Sequence, residues 1–175
     1  MKNKFIILSI LILLISCNSE ETNTFSAGDL TDKPEQSIAK INVKFVDSIF
    51  TKAELFADSG YTYSNKKITL LKHNLKVYFF SQNSFKRLSV LKADSAIIED
   101  NTNDMTAFGN VEVVSDSNFT KLETSKLKWN NKERKLFSDE FVRITSPKEI
   151  IKGFGFESNE KLTYYKIYKV IGEQR

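Results

Sequence analysis

Along most of the chain, apolar and polar residues alternate with a period of two. Leu75, Val77 and Phe79 alternate with Lys76 and Tyr78, Val111 and Val113 with Asn110 and Glu112, and Val142 and Ile144 with Phe141, Arg143 and Thr145. Successive side chains of a strand point to opposite faces, so this spacing predicts strands with one face buried. Between the runs stand turn-forming clusters: Asp58-Ser59-Gly60, Ser81-Gln82-Asn83-Ser84, Asp100 to Asp104, Ser115 to Asn118, Asn130-Asn131-Lys132, Ser146-Pro147 and Glu157-Ser158-Asn159. Their spacing is that of hairpins in an antiparallel all-β sandwich or barrel. Only residues 35–56 fit two readings, because Ile38, Ile41, Phe45 and Ile49 suit a helix about as well as a strand.

The pattern also repeats weakly. From Leu75 the chain runs strand, Ser/Asn turn, then Phe85 and Leu88; from Val111 it runs strand, Ser/Asn turn, then Phe119 and Leu122; a third copy starts at Val142 and turns at Ser146-Pro147. Each copy is a strand pair that cannot bury its apolar face alone, so stacked copies would share one elongated core or slot. Similarity among β-meanders in general is the other account of it.

The first residues belong to a different kind of segment. Lys2 and Lys4 precede an apolar run, Phe5 to Ile15, that is shorter than the roughly 20 residues of a spanning helix and ends in Leu14-Ile15-Ser16-Cys17. These features predict an export signal over residues 1–16, and the last four residues resemble a bacterial lipobox, which makes Cys17 the lipid attachment site. An uncleaved membrane anchor with a buried cysteine is the competing reading. Residues 17–37 are polar, with little beyond Phe25, Leu30 and one alanine to bury, and predict a flexible tether reaching roughly 25 Å. The globular domain is then residues 38–175.

Composition narrows the function. The chain has 175 residues, one Cys and one His, so neither an internal disulfide nor a multi-Cys or His-rich metal site is available, and no cofactor is expected. Removing residues 1–16 lowers the net charge from +4 to +2, and Lys and Arg alternate with Asp and Glu throughout, which leaves no nucleic-acid footprint. The aromatic count, 14 Phe, 6 Tyr and 1 Trp, implies a large bulky apolar surface. Two S-x-x-K matches, Ser64 to Lys67 and Ser125 to Lys128, fall in a turn and a strand pattern, whereas the catalytic version needs a helix. His73 sits between Lys72 and Asn74 in a polar setting, and Asp139-Glu140 reads as solvated charge, so no catalytic residue is assigned.

Several segments in order resemble one family. Phe108-Gly109-Asn110-Val111-Glu112-Val113-Val114, Leu122 to Asn130 with Leu127 and Trp129, Phe137-Ser138-Asp139, Val142-Arg143-Ile144 and Ile151 to Glu157 are similar to the LptC family of the OstA-like group. The resemblance spans about residues 45–172. It implies a β-jellyroll, an open β-sandwich, that accepts lipopolysaccharide from an inner-membrane ABC exporter and passes it to the next jellyroll of a periplasmic bridge. The lipid-binding positions that period two then assigns to the slot are Leu75, Val77, Phe79, Val111, Val113, Leu127, Trp129, Val142, Ile144, Phe154 and Phe156; plain core packing is the alternative for each. Gly109, Gly153 and Gly155 match glycines of the family pattern and read as bulges or close backbone approaches. The chain departs from the better-known members in its anchor, since those keep a transmembrane helix where this one predicts an acylated Cys17, so which membrane holds it stays open. A structural or ligand-binding envelope lipoprotein whose sandwich binds protein or glycan is the alternative function.

Overall fold

The computed structural model describes residues 33–82 and 84–174. The predicted signal, Cys17 and most of the tether lie outside the described residues. Among the described residues nine strands follow one another: β1 (Gln36–Asp47), β2 (Phe50–Tyr63), β3 (Ile68–Phe80), β4 (Arg87–Glu99), β5 (Met105–Ser115), β6 (Lys121–Asn130), β7 (Lys135–Thr145), β8 (Ile150–Asn159) and β9 (Tyr165–Gln174). Each pairs antiparallel with the next, so a single sheet runs in sequence order with β1 and β9 at its edges. The all-β expectation holds, and the ambiguous stretch from residue 35 to 56 is a hairpin, strand on both sides of a turn at 48–49. Ile38 and Ile49, which gave it a helical spacing, are exposed, while Phe45 is buried.

Strands of 10 to 14 residues are about twice the usual length of 5–6. A flat sheet of that length could not cover one face of itself, so the strands must bend. Register shifts fall near mid-strand across the sheet: between Phe56 and Ser59, Lys72 and Leu75, Lys92 and Ser95, Phe108 and Val111, Thr124 and Lys128, and Ser138 and Phe141. A bulge frees backbone groups that need other partners. Short polar side chains supply them or brace the bend: Thr124 Oγ1 donates to the Phe141 carbonyl at 2.9 Å, Ser138 Oγ to the Lys126 carbonyl at 2.7 Å, and Asn74 and Asn110 donate to Asp58 and Asp94 at 2.6 and 2.8 Å. His73, Asn74, Gly109 and Asn110 take left-handed φ values of 64°, 51°, 72° and 45° along this line.

The bend affects alternate strands differently. In β3, β5 and β7 the inward positions keep one parity across it, as in Leu71 and Leu75, Ala107 and Val111, and Ser138 and Val142. In β2, β4, β6 and β8 they change parity, from Ala57 to Gly60, Leu91 to Ala96, Leu122 to Leu127, and Gly153 to Phe156. The change corrects one assignment. Phe154 and Phe156 are two residues apart, yet Gly155 between them takes φ 72°, so Phe156 is buried and Phe154 lies on the outer face, 44% exposed, against Phe141.

The repeat has a structural counterpart in hairpins β3–β4 and β5–β6. Their turns carry the same bond, from Ser81 N–H to the Lys86 carbonyl and from Ser115 N–H to the Thr120 carbonyl, each 2.9 Å, with Phe85 and Phe119 at φ 52° and 56°. Hairpin β7–β8 turns more tightly, through Ser146 N–H to the Glu149 carbonyl.

Gly153 shows how closely β8 and β9 approach. A Cβ there would stand 2.4 Å from the Lys169 carbonyl oxygen and 2.5 Å from Ile167 Cγ2, so the neighbouring backbone itself would have to move. Gly153→Ala is expected to lower the unfolding free energy by about 1–3 kcal/mol. Gly172→Ala, with nothing within 4 Å of its Cβ, should change it by less than about 0.5 kcal/mol. Urea midpoints of the two variants check the contrast.

Candidate apolar binding interior

The sheet folds back so that non-neighbouring strands meet. Phe45 of β1 and Phe79 of β3 both pack on Trp129 of β6, with ring centroids 5.1 and 5.4 Å apart. Ten of the eleven positions assigned to the slot share this interior: Leu75, Val77, Phe79, Val111, Val113, Leu127, Trp129, Val142, Ile144 and Phe156 are each at most 1% exposed and belong to one apolar cluster. Phe154 is the exception. Leu55, Leu71, Leu91, Met105, Leu122 and Leu136 belong to the same cluster. Of the glycines, Gly109 and Gly155 sit in left-handed backbone, and a Cβ on Gly109 would press on Asp94.

Two members of the interior fall outside the alternating runs. Leu162 is fully buried although it lies in the β8–β9 turn, with φ 55°. Glu160, two residues earlier, is buried as well, and its carboxylate accepts from Trp129 Nε1 at 2.8 Å and from Arg134, whose Nε stands 2.8 Å away and whose Nη2 makes a second contact. Arg134 Nη2 also donates to the Phe80 carbonyl at 2.5 Å. Burial pushes the Glu160 carboxyl above the usual carboxylate range, against the pull of Arg134 and the Trp129 N–H. A carboxylate placed in an apolar interior keeps its charge only through such partners.

The remaining polar features lie elsewhere. His73 is exposed at the bend, where a groove of about 640 Å³ runs past Asp58, His73, Asn74, Lys76, Lys92 and Asp94. Its two carboxylates already accept from Asn74 and Asn110. Ser125 to Lys128 lies in β6 and Ser64 to Lys67 in a turn, so neither presents the helical geometry of an S-x-x-K nucleophile. Among the described residues no group of three or more His, Cys, Asp or Glu could hold a metal ion, and no helix is long and apolar enough to cross a membrane.

Comparison with solved structures finds the same fold in LptH from Pseudomonas aeruginosa, described as the LptA-homologous periplasmic component of the conserved lipopolysaccharide transport device. The match has a TM-score of 0.53 at 10% sequence identity and covers 67% of this chain and 82% of that one. No curated protein sequence matches the chain. The family model described as lipopolysaccharide-assembly, LptC-related, matches residues 5–171, and the chain belongs to the LptC family, whose members are transport components and not enzymes.

Proposed function

We propose that this protein carries lipopolysaccharide across the periplasm, sheltering acyl chains between the two halves of its folded sheet. Family membership supports the ligand class, and the observation that carries the reading is the continuous apolar interior spanning β1 to β8. At roughly 0.8 kcal/mol per buried CH₂, shelter for even part of an acyl chain outweighs the cost of ordering it. In this reading the chain receives its cargo from an inner-membrane ABC exporter, which supplies the ATP hydrolysis, and hands it to the next jellyroll of the bridge through an edge strand, β1 or β9. Acylated Cys17 would hold the domain to the membrane through the tether of residues 17–37.

Photo-crosslinking tests the ligand and the inward face together. A photoreactive residue placed at Phe79 or Val113 of the full chain in vesicles containing lipopolysaccharide should give lipopolysaccharide adducts. The same residue at Phe154, on the outer face, should give none. Absence of adducts at both interior positions in folded protein would overturn the reading and leave a structural envelope lipoprotein.

A further inference from the structure

The interior that would shelter an acyl chain is closed at one end by polar bonds; Lys52 Nζ of β2 donates there to Asn131 Oδ1 in the β6–β7 turn at 3.3 Å, and the others converge on the β8–β9 turn. Ser89 Oγ of β4 donates to the Glu160 carbonyl at 2.5 Å, and Asn118 Nδ2 of the β5–β6 turn donates to the Leu162 carbonyl at 3.1 Å. Trp129 and Arg134 hold the Glu160 carboxylate, and Arg134 reaches on to the Phe80 carbonyl at the end of β3. The turn is thus pinned to strands of both halves of the folded sheet. Leu162 hangs from it into the apolar cluster, fully buried, on a backbone conformation that a leucine rarely adopts. Directly outside lies an open depression of about 280 Å³ bordered by Ser81, Leu88, Arg134, Asn159, Glu160 and Lys161.

Physically the two kinds of contact are unequal. An entering acyl chain replaces leucine and phenylalanine contacts with contacts of the same kind, so parting the apolar layers is nearly compensated by the lipid itself. The hydrogen bonds and the ion pair gain nothing from a hydrocarbon. They can open only toward water, and the depression outside gives Glu160 and Arg134 that water.

We infer that the β8–β9 turn is a latch: in the closed arrangement Leu162 occupies the place of an acyl chain, and lipopolysaccharide enters by displacing Leu162 and releasing Glu160 from Trp129 and Arg134. The inference rests on the lipopolysaccharide reading above and adds the gate to it. Glu160, Arg134, Ser89 and Asn118 are positioning residues for the closed state.

Trp129 is the one tryptophan of the chain and touches the latch directly, so its fluorescence reports the latch. The full chain, with a photoreactive residue at Val113, is placed in phosphatidylethanolamine and phosphatidylglycerol vesicles and titrated with purified lipopolysaccharide. The expected result is a shift of Trp129 emission and greater quenching by acrylamide, both rising in step with the Val113 adduct. Asn118→Ala and Ser89→Ala each remove one latch bond while leaving the core intact, and should raise adduct yield at subsaturating lipopolysaccharide by about threefold to tenfold, because a larger fraction of the protein is already open. Leu162→Ala should do the same, and the two milder variants keep the test alive if it folds poorly. Adduct at Val113 with unmoved Trp129 emission, or adduct yields unchanged in Asn118→Ala and Ser89→Ala, would overturn the latch and leave lipopolysaccharide binding standing. No adduct at any interior position would overturn both.

Discussion

Glu160→Ala is expected to lower the unfolding free energy by about 3–5 kcal/mol at neutral pH, because it strands Arg134 without its carboxylate in a site where that side chain is only 13% exposed. It also leaves the Trp129 N–H without its acceptor. The pair Arg134→Met with Glu160→Met removes both charges and should recover most of that loss, since buried ion pairs replaced by apolar side chains of similar volume are often neutral or better. Urea denaturation of Glu160→Met, Arg134→Met and the double variant forms the cycle, and a double variant as unstable as Glu160→Met would show that the polar bonds, not the unpaired charge, dominate. pH adds a second check. The folded-state value of Glu160 is raised above the unfolded one, mainly by burial. The stability it contributes is therefore complete below the ordinary carboxylate value of about 4.3 and is lost as pH rises through the raised folded value. Relative to Glu160→Gln, the native protein should gain stability as the solution is acidified from neutrality toward that range.

Trp129→Ala should cost a comparable amount, about 3–5 kcal/mol, by opening a cavity beside Phe45 and Phe79. Far-ultraviolet circular dichroism follows the unfolding, since the fluorescent reporter is gone. Trp129→Phe keeps a ring in the same place but removes the donor to Glu160 Oε1, and should lose about 1–3 kcal/mol because that oxygen is left without a partner while Arg134 still holds Oε2. A Trp129→Ala effect below that of Trp129→Phe would mean that ring packing is a minor part of the interior.

The parts of this fold visible in the sequence are those where neighbours on both sides of a strand impose a strict inside and outside. β3, β5 and β7 keep their parity through the bend, so Leu75, Val77 and Phe79, Val111 and Val113, and Val142 and Ile144 can be placed by counting in twos. β1 pairs on one side alone and half of its apolar residues face solvent, which is why its spacing mimics a helix. Phe154 is misplaced by counting because the extra residue that bends β8 exchanges its faces, and Gly155 marks that bend only once its φ is known. Glu160 and Leu162 were hidden for another reason. They lie in a polar turn cluster, and nothing local distinguishes a turn in water from one folded back over an apolar mouth. Leu162, a bulky apolar residue amid Ser158, Asn159, Lys161 and Thr163, was the one available signal.

The alternation of parity between strands has a consequence for how such a chain can change length. From β2 to β8 one strand of each neighbouring pair carries the face exchange and the other does not, so within this stretch the strand pair is the smallest piece that is complete in itself. Inserting or deleting two strands leaves the inward residues of all the others as they were. Inserting or deleting one would set two strands of the same bending type side by side and reverse the direction of everything that follows. A sheet of this kind grows or shrinks in pairs, and a longer or shorter interior can be had without rewriting the rest of the sequence.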